Sequence, residues 1–353
     1  PGSLKFEDYF YNHKNLMNII EYEKLMEIIW VSLMDINFFK KVRILDGGMG
    51  QELLARGMKP KGTLWSTTAV LDKKYHKLLY DTHVDYIKAG AEVIVTTTFA
   101  SRKIRLRENK VEDKFEYLNK KAGEIAKKTK EIYPYILVAG GLPPQNLTYK
   151  KDNRSNEEIS EDFYEHAKLL DPYIDFFYLD VISSVKELDL AIKCLKEFKK
   201  PYLIGAHISQ GKTMPSGEKI SDILRNKKEE NLLGLILSCV SPENFQLNME
   251  ELKILGVPFG FKLNSYIKTS PFPNFNEYER NKKSVDPKEF LGVRSDLTPK
   301  KMAEFAKNFR DCGATILGGC CETSPAHIKE MSKLVWQSLI FEKINEKYYS
   351  CHS

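Results

Sequence analysis

The sequence predicts an α/β chain folded as a single (β/α)8 barrel of the TIM type, preceded by an N-terminal helical extension. Three observations carry this. Eight short apolar or β-branched runs alternate with helical patterns between residues 42 and 317, and that alternation implies parallel strands joined by right-handed crossovers. Eight such units match a barrel, and 353 residues accommodate one barrel of the usual size of about 250 residues or more. A doubly wound open sheet is the alternative, but its first turn usually reads G-x-G-x-x-G. Here that turn reads Asp46-Gly47-Gly48-Met49-Gly50.

The strands are expected at Val42–Leu45, Val93–Thr97, Ile136–Ala139, Phe176–Leu179, Tyr202–Ala206, Leu233–Ser238, Val257–Leu263 and Thr315–Leu317. Helical patterns occupy Lys73–Ala89, Lys114–Glu131, Asn156–Leu170, Ser184–Lys199, Lys219–Asn226, Pro242–Leu255 and Pro299–Cys312. Thr323 and Ser324, with Pro325 at the first helical position, start the last barrel helix. Thr269–Lys283, rich in Pro, Asn, Phe and Lys, reads as a long loop after the seventh strand. The barrel is thus assigned to residues 41–340, an extension of one or two amphipathic helices to residues 1–40, and a tail to residues 341–353. Pro1-Gly2-Ser3 has the look of a cloning scar, and Met34 can serve as an internal start.

Composition narrows the function. Hydrophobic residues at 42 % and charged residues at 29 % describe a globular chain and exclude a largely disordered one. The net charge of +6 comes from scattered lysines. Lys120, Lys121, Lys127, Lys128 and Lys130 fall at helical spacing as a solvated face, which is no nucleic-acid footprint. No apolar run approaches the ~18 residues of a membrane span. Six cysteines are too few for a disulfide scaffold. Two of them, Cys320 and Cys321, are adjacent, so a reducing compartment, the cytoplasm, is expected. Cys194, Cys312 and Cys351 look incidental.

Barrel active sites lie at the carboxyl ends of the strands. The residues expected there are Asp46, Thr97, Thr98, Gly140-Gly141, Asp180, His207, Cys239, Asn264 and Gly319-Cys320-Cys321-Glu322. Cys239 ends strand six and Cys320-Cys321 follow strand eight, so three sulfurs can converge. Three thiolates suit Zn²⁺ with a fourth position left open, as in catalytic sites; the other reading is three small buried core residues. A thiol in the open position would be held as thiolate, which favours alkyl transfer over hydrolysis. Asp46 and Asp180 can accept hydrogen bonds from an α-ammonium group. The N–H groups of Gly47 to Gly50 can receive a carboxylate. Thr97 and Thr98 are either pocket hydroxyls or plain β-formers. His207 and His327 are read as structural.

Leu45-Asp46-Gly47-Gly48-Met49-Gly50, Leu64-Trp65-Ser66, Thr96-Thr97-Thr98-Phe99-Ala100-Ser101, Val138-Ala139-Gly140-Gly141, Ser238-Cys239-Val240-Ser241-Pro242-Glu243, Asn264-Ser265 and Gly318-Gly319-Cys320-Cys321-Glu322-Thr323-Ser324-Pro325-Ala326-His327-Ile328, in this order over residues 41–335, resemble the homocysteine S-methyltransferase family. The resemblance implies a zinc-dependent barrel that methylates homocysteine to methionine, with Cys239, Cys320 and Cys321 as metal ligands. It places Asp46, Gly47, Gly48, Thr97, Thr98, Asp180 and Asn264 in the substrate pocket and Trp65 on the donor side. No general base is expected beyond the metal-activated thiolate. The chain departs from the family pattern at Asp180, where Glu is usual, and at Ser238, where Asn is usual. Its length leaves no room for separate cobalamin and folate modules, so a free onium donor is implied: S-methylmethionine or another sulfonium is favoured over betaine. A catalytically impaired binding barrel and the homocysteine module of a corrinoid-dependent methionine synthase are the alternatives. The expected partners are small molecules, with neither nucleic acid nor membrane, and the chain is compatible with a homo-oligomer.

Overall fold

The computed structural model describes residues 37–225, 230–267 and 288–335. Most of the extension, the loop at Thr269–Lys283 and the tail with Cys351 lie outside the described residues. Eight parallel strands run β1 (Arg43–Ile44), β2 (Val93–Val95), β3 (Leu137–Leu142), β4 (Phe176–Ile182), β5 (Tyr202–Ala206), β6 (Leu232–Val240), β7 (Phe259–Leu263) and β8 (Ile316–Gly319). They pair in the order β1-β8-β7-β6-β5-β4-β3-β2. A parallel bridge between Leu45 and Val93, backed by the Asp46 N–H donating to the Val93 carbonyl at 3.0 Å, closes the ring. The (β/α)8 barrel expected from the alternation is the observed fold. No helix among the described residues is long and apolar enough to cross a membrane.

The longer helices are α1 (Met49–Ala55), α2 (His76–Lys88), α3 (Phe115–Lys128), α4 (Asn156–Leu170), α5 (Val185–Leu195), α6 (Pro242–Lys253) and α7 (Pro299–Asp311), with α8 over residues 325–335. Several begin on a side-chain cap: Ser184 accepts from the Glu187 N–H, Ser241 from that of Asn244 and Thr298 from that of Lys301. Proline follows Ser241 and Thr298 at the first helical position, where its missing N–H costs nothing. Helix α1 is not among the helices expected from the pattern; its start packs onto the strand-eight loop, where a Cβ on Gly48 would stand 2.5 Å from the Cys320 carbonyl oxygen. The Lys219–Asn226 pattern shortens to a single turn at Ile220–Ile223.

Two apolar layers follow from the period of two along each strand. One set, including Leu45, Val93, Leu137, Ala139, Phe176, Tyr178, Leu203, Leu233, Ile236 and Ile316, fills the barrel. The alternate set, with Ile44, Ile94, Val138, Phe177, Leu179 and Ile204, packs against the helices. Phe38 and Phe39, assigned to the extension on sequence, belong to the barrel instead. They form a short 3-10 turn just before β1 and pack with the inner set, Phe39 meeting Phe176 edge-to-face at 6.0 Å between centroids.

Four strands reach beyond the carboxyl ends expected of them: β3 to Leu142, β4 to Ile182, β6 to Val240 and β8 to Gly319. In β4 and β6 the cause is a bulge, between Leu179 and Ile182 and between Ser238 and Val240, which has no simple sequence signature. β2 instead stops at Val95, whose N–H is taken by the Asp46 side chain at 2.8 Å.

Phe245, Phe261 and Phe309 join α6, β7 and α7 with centroids 5.0, 4.7 and 5.6 Å apart. Phe309→Ala is expected to destabilise the barrel by about 3–5 kcal/mol, measured by chemical denaturation, because all three elements surround the void.

Candidate active site

A cavity opens at the carboxyl ends of the strands, and Asp46, Gly47, Gly48, Trp65, Thr97, Asp180, Cys239, Cys320 and Cys321 all line it. Of the pocket residues expected from sequence, Thr98 and Asn264 are absent from the lining and serve other ends. The Thr98 hydroxyl donates to the Gly141 carbonyl at 2.6 Å and pairs with the Thr96 hydroxyl at 3.0 Å, which ties β2 to β3. The Asn264 amide donates to the Cys239 carbonyl at 2.7 Å and approaches its sulfur at 3.6 Å. Asn264 therefore positions a cysteine.

The three sulfurs of Cys239, Cys320 and Cys321 lie within 4.8 Å of one another. Two of the edges, Cys239–Cys321 and Cys320–Cys321, are 3.9 Å. A tetrahedral metal with Zn–S bonds of about 2.3 Å requires S···S edges of about 3.8 Å, so the cluster has the dimensions of a three-thiolate site. Hydrogen bonds from Cys320 and Cys321 push the Cys239 thiol well below its ordinary pKa. Those same bonds and the charge on Cys239 push the other two up. Three thiolates so close need a cation to share.

The backbone is bent to make this cluster. Among the described residues, non-glycine residues with positive φ are Trp65, Lys110, Tyr149, Val181, Lys199, Cys239 and Glu322. Four of these seven, Trp65, Tyr149, Val181 and Cys239, line the cavity, and Glu322 follows Cys321. Left-handed Val181, at φ 62°, is a costly conformation for a β-branched residue. Strain of this kind concentrates where function over-determines the backbone. Val181 and Cys239 sit in the β4 and β6 bulges, which turn Asp180 and the Cys239 sulfur into the cavity.

Gly47 and Gly48 serve a packing need, and the anion nest expected of this turn is partly committed. A Cβ on Gly47 would stand 2.6 Å from the Thr323 carbonyl oxygen, and one on Gly48 would stand 2.5 Å from that of Cys320. The Gly48 N–H donates to Thr323 O at 2.8 Å and the Met49 N–H to Gly47 O at 3.0 Å. The glycines thus let the first turn press against the loop that carries two cysteines.

The charges differ from expectation at Asp46. Its Oδ1 accepts from Lys262 Nζ at 2.6 Å and its Oδ2 from the Val95 N–H, so it is already ion-paired. Asp180 makes no ion pair among the described residues. Burial raises its pKa to about 6, against the lowering pull of Lys262. Burial alone would lower the Lys262 pKa, but the carboxylates of Asp46 and Asp180 outweigh it and hold the ammonium charged.

The aromatic side of the cavity is built on Trp65. Its ring packs so closely on Gly50 that a Cβ there would lie 2.3 Å from Cε2, and it meets Phe99 edge-on at 6.4 Å. The Trp65 Nε1, Thr97 Oγ1 and Gln51 Oε1 atoms are buried without a hydrogen-bond partner among the described residues. Buried polar atoms without a protein partner call for a ligand or an ordered water in the cavity.

Sequence reasoning missed Tyr149, Gln51, Tyr266 and Lys262. The Tyr149 hydroxyl pairs with the Cys239 sulfur at 3.3 Å, and Gln51 donates to the Tyr266 hydroxyl at 2.6 Å. Lys262 did leave a signal: a lysine in the apolar run Phe259-Gly260-Phe261-Lys262-Leu263 is out of place in a buried strand. His207 is structural as expected, bonding through Nδ1 to the Ser238 carbonyl at 3.0 Å and lying 4.3 Å from the Tyr149 ring. His327 also holds structure, accepting from the Ser324 N–H at 3.1 Å. Ser238 pairs its hydroxyl with that of Tyr178.

Comparisons with known proteins agree with this geometry. The family model for homocysteine S-methyltransferase matches residues 43–335. Homocysteine S-methyltransferase 1 of Zea mays is 24 % identical over 322 residues, covering 83 % of this chain and 94 % of that protein. Homocysteine S-methyltransferase 1 of Saccharomyces cerevisiae is 25 % identical over 327 residues, covering 84 % and 94 %. The crystal structure of the metallated form of the homocysteine methyltransferase MmuM from Escherichia coli shares the fold, with a TM-score of 0.67, 21 % identity and coverage of 83 % and 96 %. With that match running from the first strand into the last helix, the chain belongs to the homocysteine S-methyltransferase family, whose members are methyltransferases acting on homocysteine.

Proposed function

We propose that the protein is a zinc enzyme that moves a methyl group from an onium donor, with a sulfonium favoured, to the sulfur of homocysteine, giving methionine. The observation that carries this reading is the cluster of three sulfurs within 4.8 Å. Cys239, Cys320 and Cys321 would hold the metal, as the metallated state of the Escherichia coli relative supports. Bound there, Zn²⁺ supplies stabilisation of a thiolate at neutral pH.

The chain's own residues do the rest. Asn264 and Tyr149 hold Cys239 in its left-handed conformation by bonds to its carbonyl and sulfur. The Trp65 and Phe99 rings offer faces to a donor cation, an attraction worth about 0.5–2 kcal/mol. The thiolate sulfur attacks the methyl carbon in line as the carbon–heteroatom bond of the donor breaks. The donor leaves neutral, so no side chain need take a proton. Opposite charges cancel in that transition state, which a water-poor cavity favours, and positioning supplies much of the remaining acceleration. The thiols must stay reduced, which assigns the enzyme to a reducing compartment such as the cytoplasm. The described cysteines form no disulfide.

Purified protein is expected to carry one zinc and to form methionine from homocysteine and free S-methylmethionine or dimethylsulfoniopropionate, without a corrinoid. Betaine and S-adenosylmethionine complete the panel. Cys320→Ser should lose most of the zinc and at least about 100-fold in turnover; full zinc with full turnover would sink the assignment. Trp65→Leu should raise KM for the donor about 3- to 30-fold and leave KM for homocysteine near its parent value.

Asp180 titrates near pH 6 because burial favours its neutral form. Only its anion attracts an ammonium group, so kcat/KM for homocysteine should rise as pH increases through about 6 and fall below it. In Asp180→Asn this limb should disappear from the pH profile.

A further inference from the structure

Resting on the reading that homocysteine is the methyl acceptor with its ammonium group on Asp180, we infer that Lys262 receives the α-carboxylate of that substrate, which makes Lys262 a specificity-determining residue. Four observations support this.

The side chain is placed by the barrel itself. Lys262 sits in β7 between Ser238 of β6 and Gly318 of β8 in the register. A Cβ on Gly318 would lie 3.2 Å from Lys262 Cγ, so the glycine makes room for the lysine stem. Second, the ammonium is nearly sealed from bulk solvent, with 7 % of the side chain exposed, yet the residue lines the cavity. An ammonium carries three donors. Among the described residues it makes one hydrogen bond, to Asp46 Oδ1, so two donors are left for a ligand.

Third, each Asp46 oxygen already accepts one hydrogen bond, and one of the two donors is the Lys262 ammonium that offsets its charge. Asp46 anchors Lys262, and Asp180 is the carboxylate left without an ion pair. Lys262 and Asp180 lie within Coulombic reach of each other, which suits the adjacent charges of an α-amino acid. Fourth, the alternative cradle keeps only part of its donors, because the Gly48 and Met49 N–H groups are bonded inside the chain.

The test uses the full zinc-loaded chain and three thiols: homocysteine, 3-aminopropane-1-thiol, which lacks the carboxylate, and 4-sulfanylbutanoate, which lacks the ammonium group. Binding is read by calorimetry and turnover with one fixed donor. The parent should prefer homocysteine to 3-aminopropane-1-thiol by about 10- to 100-fold, the range for a hydrogen bond to a charged group. Lys262→Met should lose that preference, weakening homocysteine by the same factor while leaving 3-aminopropane-1-thiol and the donor KM unmoved. Removing one partner of a buried ion pair strands the other, so Lys262→Met combined with Asp46→Asn tests the same loss with neither charge stranded. Asp180→Asn should weaken homocysteine and leave 4-sulfanylbutanoate unmoved.

Equal losses on homocysteine and 3-aminopropane-1-thiol in both Lys262 variants would overturn the inference and leave Lys262 a counter-ion for Asp46. A parent that binds the two thiols equally well would overturn it without any variant. A parent that binds no homocysteine at all would instead sink the methyl-acceptor reading.

Discussion

Three sulfur atoms have to meet at one point although they come from strands that do not touch. Cys239 is the penultimate residue of β6, Cys320 and Cys321 follow β8, and β7 stands between them. An undistorted barrel does not deliver this. The β6 bulge and the left-handed Cys239 turn one sulfur across the gap. The contact between the Gly47-Gly48 turn and the Cys320–Thr323 loop holds the other two. Asn264, on the intervening strand's end, bonds back to Cys239. The bulge and the left-handed Cys239 cost local stability, and the filled interior and helical shell supply what offsets it.

The same convergence sets the charge pattern. A three-thiolate site, Asp46 and Asp180 crowd negative charge into a region of low dielectric, where unpaired charge is expensive. Lys262 is a buried cation that answers it, paired directly with Asp46. The tyrosines nearby, Tyr149, Tyr178 and Tyr266, have pKa values raised well above the ordinary range by burial, with anionic neighbours adding to it. They stay neutral and serve as hydrogen-bonding walls that add no further anion.

Much of this was legible in the residues. Period and alternation identify every strand, since apolar runs such as Leu203-Ile204 are not left in water, and the carboxyl-end rule points to Asp46, Asp180 and the thiols. What was hidden has physical reasons. A bulge is a relation between two strands, so the extra length of β4 and β6 leaves no trace in either alone. Whether Thr97 or Thr98 faces the cavity depends on one residue of register, and β2 stops early because a distant carboxylate takes its N–H. Asp46 looked like a free acceptor because its partner lies 216 positions away. Tyr149 sits in a connection without periodicity and is recognised only by what it touches.

The two phenylalanines before β1 give the barrel a floor. Phe38 and Phe39 pack among the starting residues of β4, β5 and β6, and the Arg43 guanidinium lies 4.4 Å from the Phe38 ring centroid while its Nε donates to the Phe38 carbonyl. Catalytic barrels keep one mouth open, which leaves the opposite mouth to be stoppered by side chains alone. A chain cut at the first strand would keep all eight strands and every pocket residue yet admit water to its lowest layer. The barrel therefore includes an aromatic stopper upstream of its first strand.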